Sequence, residues 1–195
     1  MHLRGRTAAR EFLDSLDIKA GDKVLDVGCG LGGPARMAAS RYDADVTGID
    51  LTEAFCDSAD KAGLYREIAR ALKPGGRFGL YDVVAGSGEP IHMPVPWATL
   101  PEHSHLIPAD AVEAAANAAG LMTERSEDQS ALVETYLDDQ RAARQLRVEK
   151  GEPEPPTGAP VIMGESFVQK QKHIYRNLKE GRIAVRLAIF KLKED

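Results

Sequence analysis

Residues 23–34 read Lys-Val-Leu-Asp-Val-Gly-Cys-Gly-Leu-Gly-Gly-Pro, and residues 46–51 read Val-Thr-Gly-Ile-Asp-Leu. Val24, Leu25 and Val27 form an apolar, β-branched run that predicts a buried strand. The run stops at Gly28, and Gly28, Gly30 and Gly33 occupy the glycine positions of a G-x-G-x-x-G turn. Pro34 follows, suited to the first helical position because the N–H it lacks would find no partner there. Ala35, Met37, Ala38 and Ala39 continue as a helix, and a second strand over 45–49 ends in Asp50. Strand, glycine turn, helix, strand and acid together make half of a nucleotide-binding α/β sheet.

Each part has a physical use. Glycines allow a sharp turn and bring backbone N–H groups close to a ligand with no Cβ in the way. The start of the following helix offers unpaired N–H donors to an anion. Asp50 stands where a carboxylate accepts hydrogen bonds from both hydroxyls of a ribose. Asp26 discriminates among nucleotides: a carboxylate just before the first glycine repels a pyrophosphate and welcomes a cofactor that carries an ammonium group.

The stretch Val-Leu-Asp-Val-Gly-Cys-Gly-Leu-Gly-Gly resembles the first motif of class I S-adenosylmethionine-dependent methyltransferases. Val-Thr-Gly-Ile-Asp-Leu resembles their ribose-binding strand, and Leu72-Lys73-Pro74-Gly75-Gly76-Arg77 the turn before their fifth strand. The likeness runs from Leu3 to about Lys191 and is strongest to the small-molecule branch, the ubiquinone-type and glycine- or sarcosine-type enzymes. It implies a Rossmann-like α/β sheet with helices on both faces and an antiparallel last strand, built as one domain over 1–195. Residues 1–84 would form the cofactor half and 85–195 the substrate-side loop, helices and last strands. It further implies S-adenosylmethionine as cofactor, with Asp26, Gly28, Gly30, Gly33, Asp50 and Leu51 around it.

One departure stands out. Relatives carry two more strands, an acid-containing adenine loop and a helix between the segment near 53–59 and the helix that begins at 60. That unit of about 30 residues or more, the size of a βαβ element, is missing after about residue 59. The lost fourth strand normally separates the first and fifth. Strand 24–27 must therefore either pair directly with strand 77–84 or leave a gap beside it.

Composition sets bounds. The 195 residues, 43% apolar and 28% charged, suit a single soluble domain with a substantial core. A net charge of −5 argues against a general nucleic-acid surface. No apolar run is long enough for a membrane span, and Met1-His2-Leu3-Arg4 does not open a signal peptide, although relatives carry more chain before this point. Cys29 and Cys56 make no disulfide framework, so the expected compartment is the cytoplasm. The oligomeric state stays open, a homodimer among the options.

In chain order the patterns predict a helix over 3–18, a helix from Glu53 to about Ala59 capped by Thr52, and a helix from 60 with Leu64, Ile68 and Leu72 aligned. A strand over 77–84 leads into a long Pro-, Gly- and His-rich segment, 85–108, which leaves the carboxyl end of a parallel strand, where such sheets bind ligands. A helix from 108 stops at Gly120, and a polar strand follows over 121–128. Helices over 130–148 and 164–178 flank a proline-rich loop, 152–160, and a strand over 183–190 closes the chain.

Among other candidates, His103 or His105 could serve as a general base, and His2, Trp97, His105 and Arg176 could line a substrate pocket. Each has a plain structural reading: a frayed end for His2, loop packing for Trp97, ordinary loop histidines, and solvated helix-end cations for Arg176 and Lys179. His92, His103 and His105 lack the cysteine or carboxylate company of a metal site, so no metal is expected. Direct methyl transfer requires none. Two further readings remain at this stage: a non-catalytic methyltransferase-like binding protein, and an NAD-dependent oxidoreductase. Asp26 and the Leu-Lys-Pro-Gly-Gly turn count against the second.

Overall fold

The computed structural model describes residues 3–49, 61–153 and 166–194. His2, Asp50, Leu51, Cys56, the helix expected over 53–59 and most of the proline-rich loop lie outside the described residues. The elements are α1 (Gly5–Asp14), β1 (Lys23–Val27), α2 (Gly33–Tyr42), β2 (Asp45–Ile49), α3 (Lys61–Ala71), β3 (Arg77–Ala85), a 3-10 turn (Pro101–His103), α4 (Ala109–Ala118), β4 (Leu121–Asp128), α5 (Ser130–Glu149), α6 (Phe167–Lys179) and β5 (Ile183–Leu192). The chain divides into two compact units, residues 1–82 with 109–127 and 186–195, and residues 83–108 with 128–185.

In the first unit β1 and β2 run parallel, Lys23 beside Asp45 through Val27 beside Ile49, with α2 as the crossover. The remaining strands form a second sheet in the order β3-β5-β4. Its direction follows from the hydrogen bonds at its ends. Leu192 N–H donates to Gly76 C=O, and Gly86 N–H to Arg182 C=O, so β5 falls in number as β3 rises. Lys193 N–H to Gly120 C=O and Gln129 N–H to Val185 C=O set the same opposition between β5 and β4. The last strand is antiparallel to both neighbours, as the resemblance implies.

Of the two arrangements open to β1, the structure takes the second. Among the described residues β1 pairs with β2 alone, and β3 belongs to the other sheet. Leu25 and Val27, on one face of β1, stay 49% and 39% exposed, as an unfinished sheet leaves them.

Packing explains several small residues. α1 buries Ala8, Ala9 and Leu13. A Cβ on Gly79 of β3 would stand 2.7 Å from the Phe12 ring and 2.8 Å from Leu16, so the glycine lets the end of α1 lie on the strand. The helix expected to reach residue 18 ends at Asp14: Ser15 Oγ donates to Phe12 C=O, and Asp17 turns to a φ of 55°. Phe190 stacks on Phe78 at 5.6 Å between ring centres, with Tyr65 tilted beyond it; burial, then nearby Asp82, pushes the Tyr65 phenol up to about 12. In the second unit α5 and α6 pack together, and the Arg141 guanidinium covers the Tyr175 ring at 4.2 Å.

Phe190 is fully buried in this aromatic stack. Phe190→Ala is expected to cost about 3–5 kcal/mol in chemical denaturation, against a fraction of that for the exposed Leu132→Ala.

Candidate functional site

The glycine turn leaves the carboxyl end of β1 and is fastened to β2. Gly28 N–H and Cys29 N–H both donate to Ile49 C=O, at 2.8 and 3.1 Å. Gly48 lies opposite Asp26 in the strand register, and the place a Gly48 Cβ would take is filled by the Cys29 side chain, whose Sγ would be 2.9 Å from it. Cys29 thus has a packing role: it wedges the turn against β2. Gly32 N–H closes the turn onto Cys29 C=O at 2.8 Å, and Gly32 caps α2 in the left-handed region with Pro34 just inside.

The turn is open where a ligand needs it. A Cβ on Gly28, at a φ of +76°, or on Gly33 would meet nothing within 4 Å. Asp26 is half-buried near the end of β1, two residues before the turn. An open glycine turn next in the chain to a carboxylate suits a ligand with a cationic amine, which is the amino-acid end of an S-adenosyl cofactor. The residues present fit that group.

The second unit holds Trp97, His103, His105 and Arg176. Trp97 Nε1 donates to Ser104 Oγ at 3.1 Å, which joins the two halves of the long segment around the 3-10 turn. His103 and His105 are exposed on it. Arg176 Nε donates to Glu180 Oε1 at 2.6 Å. Lys179 lies between Glu134 and Asp138, at 3.0 and 3.1 Å. The structure brings Trp97 together with the segment that carries His103 and His105. Arg176 belongs to a separate cluster at the end of α6.

That cluster contains residues the sequence patterns missed. Asn177, fully buried, clamps His92 from both sides: its Oδ1 accepts from His92 N–H at 2.7 Å and its Nδ2 donates to His92 C=O at 3.0 Å. Glu180 receives Arg176, His92 Nε2 at 2.8 Å and Arg182 Nε at 2.5 Å, while Arg182 Nη1 donates to Pro90 C=O. His173 Nδ1 lies 3.0 Å from Pro94 C=O. The segment after β3 is thereby tied to α6 by side chains. A signal was present: Asn177 lies on the same stripe as Ile174 and Leu178, where a polar residue must find buried partners.

The amino-acid sequence itself has relatives. The Mycolic acid cyclopropane synthetase family matches over residues 6–72, the stretch from α1 through α3. A phosphoethanolamine N-methyltransferase 1 of Triticum aestivum is 32% identical over 127 residues, covering 44% of this chain and 26% of that protein. A sterol 24-C-methyltransferase of Aspergillus fumigatus is 33% identical over 110 residues, covering 34% and 29%. The chain is thus similar, over its first third and more, to S-adenosylmethionine-dependent methyltransferases that act on small molecules.

The chain spans about a quarter of the length of these two relatives. The wheat match pairs 127 residues with 44% of a 195-residue chain, so the relative holds about 40 residues here with no counterpart. The fungal match leaves a similar excess. Against these relatives the chain is therefore internally shortened, by about the size of the unit expected to be missing. Its fold is shared with a solved Haemonchus contortus phosphoethanolamine N-methyltransferase 2, in complex with phosphomonomethylethanolamine and S-adenosylhomocysteine. The TM-score is 0.75 at 18% identity, over 97% of this chain and 53% of that one.

The Glu180 cluster sets a pH response. The Arg176, His92 and Arg182 hydrogen bonds hold the Glu180 carboxyl down at about 2, below the ordinary 4.5. An acid with a depressed folded value stabilises fully above its ordinary value, and the contribution fades as pH falls from about 4.5 towards about 2. Emission from Trp97, the one tryptophan, is expected to shift over that window, and Glu180→Gln to remove the shift. Asn177→Ala, which strands both His92 backbone groups, is expected to cost about 1–3 kcal/mol by denaturant melt.

Proposed function

We propose that this chain moves the methyl group of S-adenosylmethionine to an N, O or C nucleophile of a small-molecule metabolite, acting as one domain in the cytoplasm. The observation that carries the reading is the open glycine turn that follows Asp26, inside the stretch matched to the Mycolic acid cyclopropane synthetase family. Asp26 would take the cofactor's ammonium group, Gly28, Gly30 and Gly33 the chain around it, and Asp50 with Leu51 the ribose end. When bound, the cofactor supplies an electrophilic sulfonium methyl.

The protein's own task is then to align and enclose. The turn fixes one reactant against β2. Trp97 and Arg176 are proposed to help shape the acceptor's surroundings, together with His2 and His105. His103 or His105 would accept a proton from a nucleophile that carries one. The names of the wheat, nematode and fungal relatives make phosphoethanolamine-type amines and sterols the first acceptors to screen.

Titration calorimetry with S-adenosylhomocysteine is expected to give micromolar binding, with NAD giving none. Asp26→Asn is expected to weaken the adenosyl ligand at least tenfold, as loss of a charge-assisted pair worth about 1.5–3 kcal/mol implies. Transfer of labelled methyl from S-adenosylmethionine to any acceptor in the screen supports the reading. A folded chain that binds no adenosyl ligand contradicts it.

A further inference from the structure

A second candidate site lies in the groove between α1 and α2. Arg6, Thr7 and Arg10 of α1 face Met37, Ser40 and Arg41 of α2 across a volume of about 380 Å³. The positions follow helical spacing, i, i+1 and i+4 on one side and i, i+3 and i+4 on the other, so each trio shares a face. Three guanidinium groups and two hydroxyls line the groove and no carboxylate does, in a chain whose net charge is −5.

Arg41 is engaged, with its Nε and Nη2 on Asp14 at 3.4 and 3.3 Å, and its Nε also on the Tyr42 hydroxyl at 3.3 Å. Arg6 and Arg10 have no hydrogen bond or ion pair among the described residues, and Asp14 acts on Arg10 only through space. Like charges four residues apart weaken a helix. Two arginines at that spacing, without a hydrogen-bonded partner among the described residues and facing a third across a groove, concentrate positive charge that favours an anion.

We propose that this groove binds the phosphate group of a small phosphorylated molecule. The guanidinium forks match phosphate oxygens in pairs, and the Thr7 and Ser40 hydroxyls can donate to the oxygens that remain. Met37 supplies an apolar wall for the carbon part of an ester. The volume suits a small ligand, and the chain's negative charge opposes a nucleic acid. The groove is formed by the helix bodies and shares no residue with positions 26–33, so it is distinct from the proposed cofactor turn.

The test is calorimetric titration of the full chain with inorganic phosphate and with glycerol 1-phosphate, at constant ionic strength set by chloride. Saturable binding is expected, weakened at least tenfold by Arg6→Ala or Arg10→Ala and about threefold by Arg10→Lys. The last variant keeps charge and helix while losing the fork, so its effect does not depend on folding; melting curves check the others. Tighter binding of the ester assigns the site to phosphorylated metabolites and equal binding to free phosphate, and either result supports the proposal. It is overturned if neither ligand gives saturable heat, if a folded Arg6→Ala/Arg10→Ala double variant binds as the parent does, or if only phosphatidylglycerol vesicles bind.

Discussion

The attachment of the glycine turn to β2 is the constraint on which the β1–α2–β2 unit rests. Two N–H groups of the turn converge on the single carbonyl of Ile49, and the Cys29 side chain fills the notch left by Gly48. Neither contact would exist with β2 slipped by one residue, because Gly48 would then no longer face the turn. The parallel register, with Asp26 opposite Gly48, and the crossover helix accord with that attachment. The glycines at 28, 30 and 32 take positive φ, a conformation costly for residues with a Cβ.

The second unit solves a different problem. The segment after β3 has little regular structure, so its backbone groups need partners from elsewhere. Asn177 supplies a donor and an acceptor to the same residue, and Glu180 gathers two guanidinium groups and the His92 ring around its carboxylate. The backbone helps too: Gly86 N–H meets Arg182 C=O, at a place where a Cβ would come within 2.1 Å of the Gly181 carbonyl oxygen. A long loop held by an α-helix and a strand end in this way is fixed without being a strand itself.

What could be read in advance was what local chemistry decides. The glycine turn, the Gly120 stop and the final strand each depend on residues a few positions apart, and the structure has them where the patterns place them, while Pro34 stands second in α2, one place beyond the first helical position expected for it. The pattern overruns the end of α1 because Leu16 continues the apolar rhythm, whereas Leu16 is used beside Gly79 after the helix has ended. His92 was visible only as a loop histidine; its partner Glu180 is 88 residues away, and no local pattern encodes such a pair. The groove arginines were likewise invisible as a group, since only the packing of α1 on α2 brings Arg6 and Arg41 to one place. The internal shortening is legible as a missing motif, but that β1 pairs with β2 alone among the described residues is a matter of packing among distant elements.

The central proposal is that the turn at 28–33 holds an adenosyl cofactor in this shortened chain. Amide NMR spectra of the full chain during a titration with S-adenosylhomocysteine test it most directly. The account predicts saturable shifts concentrated at the amides of Gly28, Gly30 and Gly33, with NAD leaving them unmoved. A well-dispersed spectrum in which those amides do not respond, or respond equally to both ligands, would contradict it.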